Sequence, residues 1–501
     1  MPRIRAALAL ALSSACWSCS TDFAPKSCTE DADCGDGLVC SGSAGASGTC
    51  FDASALPLRF GMSAAASGPS QDLGTEMKRG VTLAFDAQNA LGGIHGRPLQ
   101  LDFRDDEYRP ELAEENANGL LDVVESTAQP RCPTTTSPPV AGQPPFSDRA
   151  LDRGPDAVLA VIGNVGTPTM VRFAPIAVET QTMFFGAFTG AAAMLRDDKA
   201  GPCKRYIFNV RASYAQEARG TLEYFVSRGV DDHTHLVSFD QDDSFGQAGY
   251  DGLTKAYAEL TEEGKLAALP AGEEIARYRY QRDDIGSVPE QVENVAAYLT
   301  SLLEGDTAEH VVGIFMTDTY GAGTNFIKAL RDWQYDDVEA AARLTLVFSN
   351  VSFVGPNSLA SRLRDAGTVS TPNGAQPYTD DVLVTQVVPN YDEDSSDAVL
   401  TYKQLLAETG ADPNFTSLEG YLSGRVFIAG LLAHQGEFTA PSLVDTFETL
   451  PDLSLGLGAT SGFSADNHNY SRSVWGTEIT PEGNFRNVYY WREGTPISFF
   501  E

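Results

Sequence analysis

Between Leu56 and Gly96 the chain runs through a short apolar strand, a Ser67-Gly68-Pro69 turn and an amphipathic helix, an order that few folds can accommodate. In the strand, Leu56, Leu58, Phe60 and Met62 alternate with other residues, as a half-buried strand requires. In the helix, Met77, Val81, Ala84, Phe85 and Leu91 fall on one face of a 3.6-residue period, and Gly92-Gly93 supplies the backbone freedom that ends it. Leu99, Leu101 and Phe103 then read as a second strand. The result is a β-α-β unit, and the turn after its first strand is where such units present ligand-binding groups.

The 501 residues are 42% hydrophobic, enough for more than one core, since single cores stop growing near about 250 to 300 residues. The formal net charge of -33 makes the average surface repel phosphate backbones, which argues against a nucleic-acid partner. Arg3 and Arg5, the apolar run from Ala6 to Leu12 and then Ser13-Ser14-Ala15-Cys16 read as a secretion signal over residues 1–15. The order also resembles a bacterial lipoprotein signal, which implies that Cys16 is the lipidated first residue of the mature chain; a plain secreted form or lipidation at Cys19 are the alternatives. Cys28, Cys34, Cys40 and Cys50 lie in a Gly-, Asp- and Ser-rich stretch with almost no large apolar side chains, so only crosslinks give residues 16–55 a fixed shape. Structural zinc sites bring short Cys pairs that are missing here, and disulfides are the expectation; four cysteines permit three pairings, and spacing does not choose among them.

Beyond residue 56, apolar strands at Ala157–Ile162, Thr182–Phe185, His235–Phe239, Val311–Met316, Thr345–Phe348 and Val382–Val388 alternate with helical patterns at Ala215–Arg228, Val292–Glu304 and Asn325–Trp333. That rhythm predicts an α/β fold with parallel sheets covered on both faces. Residues 127–155, rich in Pro, Thr and Ser, break it and read as a surface insertion; a Cys132–Cys203 disulfide would pin that insertion to its lobe.

Five stretches carry a resemblance: Phe184-Phe185-Gly186-Ala187-Phe188-Thr189-Gly190-Ala191, Arg205 to Tyr214, Asp242-Asp243-Ser244-Phe245-Gly246, Phe348 to Phe353, and Ser417-Leu418-Glu419-Gly420-Tyr421. In this order the chain resembles the solute-binding proteins of branched-chain amino acid ABC transporters over about residues 56–495. The resemblance implies a type I periplasmic binding protein: two Rossmann-like lobes joined by a three-strand hinge, here with a small Cys-rich N-terminal segment. By that analogy one lobe is residues 56–209 plus 386–470 and the other 210–385 plus 471–501.

A cleft that takes a small zwitterion needs hydroxyls and N–H groups for a carboxylate, and helix N-termini suit that role. Thr167, in Gly163-Asn164-Val165-Gly166-Thr167-Pro168-Thr169, follows a buried strand and precedes a helical run, and Phe188-Thr189-Gly190 repeats the arrangement. The resemblance implies that Thr167 and Thr189 hold the ligand carboxylate, that Phe188, Phe245 and Tyr320 line the cleft with rings, and that Leu73 is an apolar ligand-facing position. It also implies a ligand-facing position at Asn350, where members that bind aliphatic amino acids carry a glutamate for the ammonium. Losing that carboxylate forfeits a charge-assisted bond worth roughly 1.5 to 3 kcal/mol, and Asp318 or Asp240 is the candidate replacement.

The six histidines fall in no metalloprotease pattern and beside no nucleophile elbow, Asp231-Asp232-His233 reads as a polar turn rather than a metal site, Asp105-Asp106 as a helix-start carboxylate pair, and phosphate-loop and dinucleotide fingerprints are missing. The expectation is a binding protein rather than an enzyme, with no cofactor and no metal. The resemblances imply a monomeric lipoprotein held to the membrane by its N-terminal lipid, taking a small-molecule ligand to ABC permease subunits in the periplasm or cell envelope. A ligand-sensing lipoprotein read by a receptor is the alternative.

Overall fold

The computed structural model describes residues 27–29, 33–34, 38–40, 48–52, 56–131, 149–192, 204–305, 307–453, 455–458 and 462–500. Cys16, Cys132 and Cys203, and with them the lipidation and Cys132–Cys203 expectations, lie outside these residues. The chain divides into two compact units, residues 1–56 and 57–501.

In the first unit the strand Gly48–Asp52 pairs antiparallel with Ser27–Cys28 on one side and Leu38–Cys40 on the other. Cys34 is bonded to Cys50 with their Cα atoms 5.6 Å apart, and Cys28 is also in a disulfide. Cys40 stands opposite Cys50 in the strand register. Crosslinks thus take the place of the core that this composition cannot supply.

The second unit is built on two sheets. The first is parallel throughout, in the order Ile207–Phe208, Met183–Phe185, Ala160–Ile162, Leu58–Ala64, Leu99–Asp105. The second places Ala276–Tyr280, Leu236–Gln241, His310–Thr317, Leu344–Asn350 and Val382–Gln386 in parallel, then adds Ser473–Ile479, Phe485–Arg492 and Ser498–Phe499 antiparallel. The chain passes between the sheets three times: from Phe208 to Leu236, from Gln386 to helices over the first sheet, and from those helices back to Ser473. Strands buried on both faces explain why so many sequence runs are apolar rather than alternating.

The opening helix spans Gln71–Ala90 and buries Leu73, Met77, Val81, Ala84 and Phe85. Two positions correct the sequence reading: Leu91 is 82% exposed as the residue after the helix, and Leu56 is 40% exposed and precedes the strand. The helix packs on Phe415–Ala433, which is buried nearly all round, and the two approach so closely that a Cβ at Gly80 would lie 1.9 Å from the Ser417 carbonyl oxygen. The 127–155 insertion grows from an antiparallel ribbon of Val123–Glu125 and Leu151–Arg153.

Candidate functional site

Four of the sequence-predicted residues meet where the loops of the two sheets face each other. Thr167 is the first residue of the helix Thr167–Glu179, which Gly166 opens at φ +99 and Pro168 extends, because a Pro in the first turn gives up an N–H that has no partner there. Its hydroxyl is 2.7 Å from that of Thr189, and the Tyr214 hydroxyl lies 3.4 Å from Thr189 Oγ1. Thr189 departs from the expectation, since among the described residues no helix starts at it. Its hydroxyl accepts instead from the Ala191 N–H, and Gly190 is there because a Cβ would come within 2.4 Å of the Tyr214 ring. Phe188 and Phe245 are both buried and both pack on Phe353, at 5.1 and 4.7 Å between ring centroids.

Leu73 and Tyr320 form a second meeting point. The Tyr320 hydroxyl donates to the Pro69 carbonyl in the first βα turn, and a Cβ at Gly355 would touch both Tyr320 and Leu73. Nearby, Ser358 Oγ donates to Asp72 at 2.8 Å. These bonds join the helix-leading turn of the first sheet to residues that follow strands of the second.

Asp318 and Asn350 lie together but deeper. Both are fully buried; Asp318 turns its carboxyl against Gly323 of the helix Tyr320–Asp336, with Asn350 Oδ1 beside it, and neither Asp318 oxygen accepts a hydrogen bond. Burial, and then the neighbouring Asp240, hold the Asp318 carboxyl well above the usual carboxylate range. Asn350 Nδ2 donates to the Leu383 carbonyl at 3.1 Å, which ties neighbouring strands. Asp240 is corrected as a candidate, because Arg277 is already bonded to it; burial still raises its carboxyl to about 6.

The centre of the arrangement is a residue the sequence reading did not select. Arg211, on the first crossover, is buried, and its Nη2 donates to Glu217 Oε1 at 2.9 Å and to Ser352 Oγ, while Nη1 lies 3.4 Å from Glu419 Oε1. Glu217 in turn accepts from the Ser352 N–H at 2.7 Å and from the Thr385 hydroxyl. Burial pulls the Arg211 guanidinium down, but Glu419 and Glu217 outweigh it and hold it above its ordinary value. Its guanidinium also lies 5.1 Å from the Phe188 ring centroid. Arg211, Phe353 and Glu419 all stand in the five signature stretches, which was the available signal. Tyr108 had none: it packs against Gly166 and Phe353 from a turn in which Glu107 and Tyr108 are both left-handed, at φ +52 and +60. That turn is pinned by Asp106, which accepts from Ser63 Oγ at 2.7 Å and the Tyr108 N–H at 3.0 Å and whose carboxyl burial pushes up to about 7. Asp105 and Asp106 therefore hold this turn rather than cap the helix, which starts at Pro110.

A cavity of about 1010 Å³ opens on the outer side of the helices Tyr214–Ser227 and Ser244–Glu262, lined by Arg219, Glu223, Glu259, Glu263 and Lys265 among others. These charges already pair with one another across the groove. His233 and His235 pair with Glu273 and Asp231, at 2.7 and 3.0 Å, in the polar turn the sequence suggested.

Among curated proteins none matches this chain. Its fold is similar to that of a possible leucine/isoleucine/valine-binding protein from Rhodopirellula baltica SH 1, at 27% identity and a TM-score of 0.65 over 87% of this chain and 96% of that one. It is also similar to a branched-chain amino acid ABC transporter protein from Thermus thermophilus with bound valine, at 14% identity and a TM-score of 0.62 over 88% and 97% of the two chains. A fatty acid ABC transporter substrate-binding protein from Thermomonospora curvata, at 14% identity and a TM-score of 0.62 over 87% and 93%, shares the fold as well. The family description "periplasmic binding protein" matches residues 57–128 and 154–484, and the chain, with two α/β sheets linked by three crossovers, belongs to that family.

Proposed function

We propose that the protein is an extracytoplasmic solute-binding lipoprotein that captures a small polar ligand, amino acid-like, amide or carboxylate, and passes it to the permease subunits of an ABC importer. The observation that carries this reading is the Thr167–Thr189 hydroxyl pair at the start of a helix, facing rings contributed from both sheets. Such a helix start favours an anionic group through its free N–H groups and dipole. Lobes at 56–209 plus 386–470 and 210–385 plus 471–501 would close over the ligand, and bonds such as Tyr320 to Pro69 and Ser358 to Asp72 would favour the closed form. The similar structures bind valine in one case and carry fatty acids in the description of another, which supports a small carboxylate without choosing one. No catalytic step is needed for this role.

The second reading, a ligand-sensing lipoprotein read by a receptor, is favoured by the disulfide-bonded N-terminal unit, because a transport tether needs only flexible chain. Thermal-shift screening of amino acids, small amides and carboxylates tests the shared claim. At least one compound should raise the unfolding temperature, increasingly with the logarithm of its concentration above Kd, and a flat response across all classes would reject solute binding.

A further inference from the structure

The Phe353 side chain is buried on the short turn Ser352–Val354 that leaves the strand Leu344–Asn350, with Phe188 and Tyr108 approaching from loops of the first sheet and Phe245 meeting it edge-on from the second. Tyr214 connects this ring cluster to the Thr167–Thr189 hydroxyls, its ring 5.6 Å from that of Phe245. The Phe353 phenyl ring is therefore packed among other rings at favourable stacking separations, removed, through Phe245 and Tyr214, from the hydroxyl pair that would hold an anion. Tyr108 reaches its place through a left-handed backbone that non-glycine residues rarely adopt, and such strain persists where the surroundings require one side-chain position.

We propose that the cleft selects a small carboxylate bearing an aromatic ring, whose ring replaces the Phe353 side chain between Tyr108, Phe188 and Phe245, and that Phe353 holds the lobes together until it is replaced. The proposal rests on the cleft being the solute site. Exchange of ring for ring restores every stacking contact, whereas an isopropyl or isobutyl group fills less of the space and leaves part of it empty. The swap also sets a cost on binding, because apparent affinity falls by the fraction of molecules in which Phe353 has left.

The test uses the full chain with phenylacetate and L-phenylalanine as ring-bearing probes, L-leucine, L-valine and octanoate as aliphatic ones, calorimetry for affinity and small-angle X-ray scattering for lobe separation. The ring-bearing probes should bind the wild type at least roughly tenfold tighter than the aliphatic ones. Phe353→Ala should have a larger radius of gyration than wild type without ligand, contract when phenylacetate is added, and bind it roughly tenfold or more tighter, since no ring has to leave. A Phe353 that only packs a core would lower stability and leave the radius of gyration unchanged, and that result overturns the proposal. Tighter binding of an aliphatic probe, or no binding of any probe to either protein, overturns the ligand class, while solute binding itself stands or falls with the wider screen of amino acids, amides and carboxylates. If Phe353→Ala does not fold, Phe353→Leu is carried through the same measurements with the same criteria.

Discussion

Replacing Arg211 by methionine should be among the most damaging single changes in the chain. The methionine keeps part of the apolar stem but removes the guanidinium that Glu217 and Glu419 share, and those carboxylates are only 0% and 6% exposed. Glu217 keeps the Ser352 N–H and the Thr385 hydroxyl, so it is not stripped of donors, but neither carboxylate retains a cation at the centre. Breaking a buried pair by deleting one partner costs about 3 to 5 kcal/mol, against about 0 to 1 kcal/mol for an exposed pair. Because Arg211 stands on a crossover and its partners come from elements on both sides, the loss should appear in both lobes together. Urea unfolding followed by far-UV circular dichroism measures it. The triple variant Arg211→Met/Glu217→Gln/Glu419→Gln should recover much of the loss, since it leaves no buried charge without a counter-charge. A single variant within about 1 kcal/mol of wild type, or a triple variant no better than the single, would refute the reasoning.

Three further outcomes are expected. Burial raises Asp106 to about 7, so the unfolded chain gives up its proton first as pH rises, and the stability that Asp106 contributes falls between about pH 4 and pH 7 and stays level above. Asp106→Asn keeps an acceptor for the Tyr108 N–H and removes that dependence, gaining on wild type by at most about 4 kcal/mol across the window; equal differences at both ends in urea titrations would discard the assignment. Gly80→Ala should destabilise by about 1 to 3 kcal/mol in thermal unfolding, because its Cβ would meet the Ser417 backbone, and a neutral result would contradict the close helix contact. Cys16→Ser should shift the exported protein from the membrane to the soluble fraction, and an intact mass showing a cleaved, unlipidated wild-type N-terminus would rule out the anchor.

The apolar runs made the central parallel strands and several helices legible, because strands covered on both faces and a helix with a single buried stripe leave clear periods. The edge strand Ala276–Tyr280 and the antiparallel strands Ser473–Ile479, Phe485–Arg492 and Ser498–Phe499 were not read, and the antiparallel ones make the second sheet mixed rather than parallel. Thr167 was legible for a local reason: Gly166 and Pro168 around it are helix-start residues. The setting of Thr189 was not legible, because Phe-Thr-Gly resembles a helix start in one dimension, while its glycine answers to the Tyr214 ring, a neighbour 24 positions on that no local pattern announces. Phe353 was hidden for a similar reason, since a turn of three residues does not reveal that its ring lies between two lobes. Tyr108 depends on consecutive left-handed residues that carry no glycine signal. Arg211 and Glu419 stood in the signature stretches, but only the fold brings residues so far apart in the chain to 3.4 Å.

Calorimetric titration of a ligand identified by screening, into wild type, Thr167→Val and Thr189→Val, tests the central claim that this cleft is the solute site. Valine keeps the shape of threonine and removes the hydroxyl, which leaves a ligand oxygen unpaired in a closed site at a cost of about 1 to 3 kcal/mol. Each variant should therefore lose roughly 5- to 150-fold in affinity, read beside its own ligand-free unfolding temperature, which losing the Thr167–Thr189 bond also lowers. Unchanged affinity in both variants would place the binding site elsewhere and contradict the account.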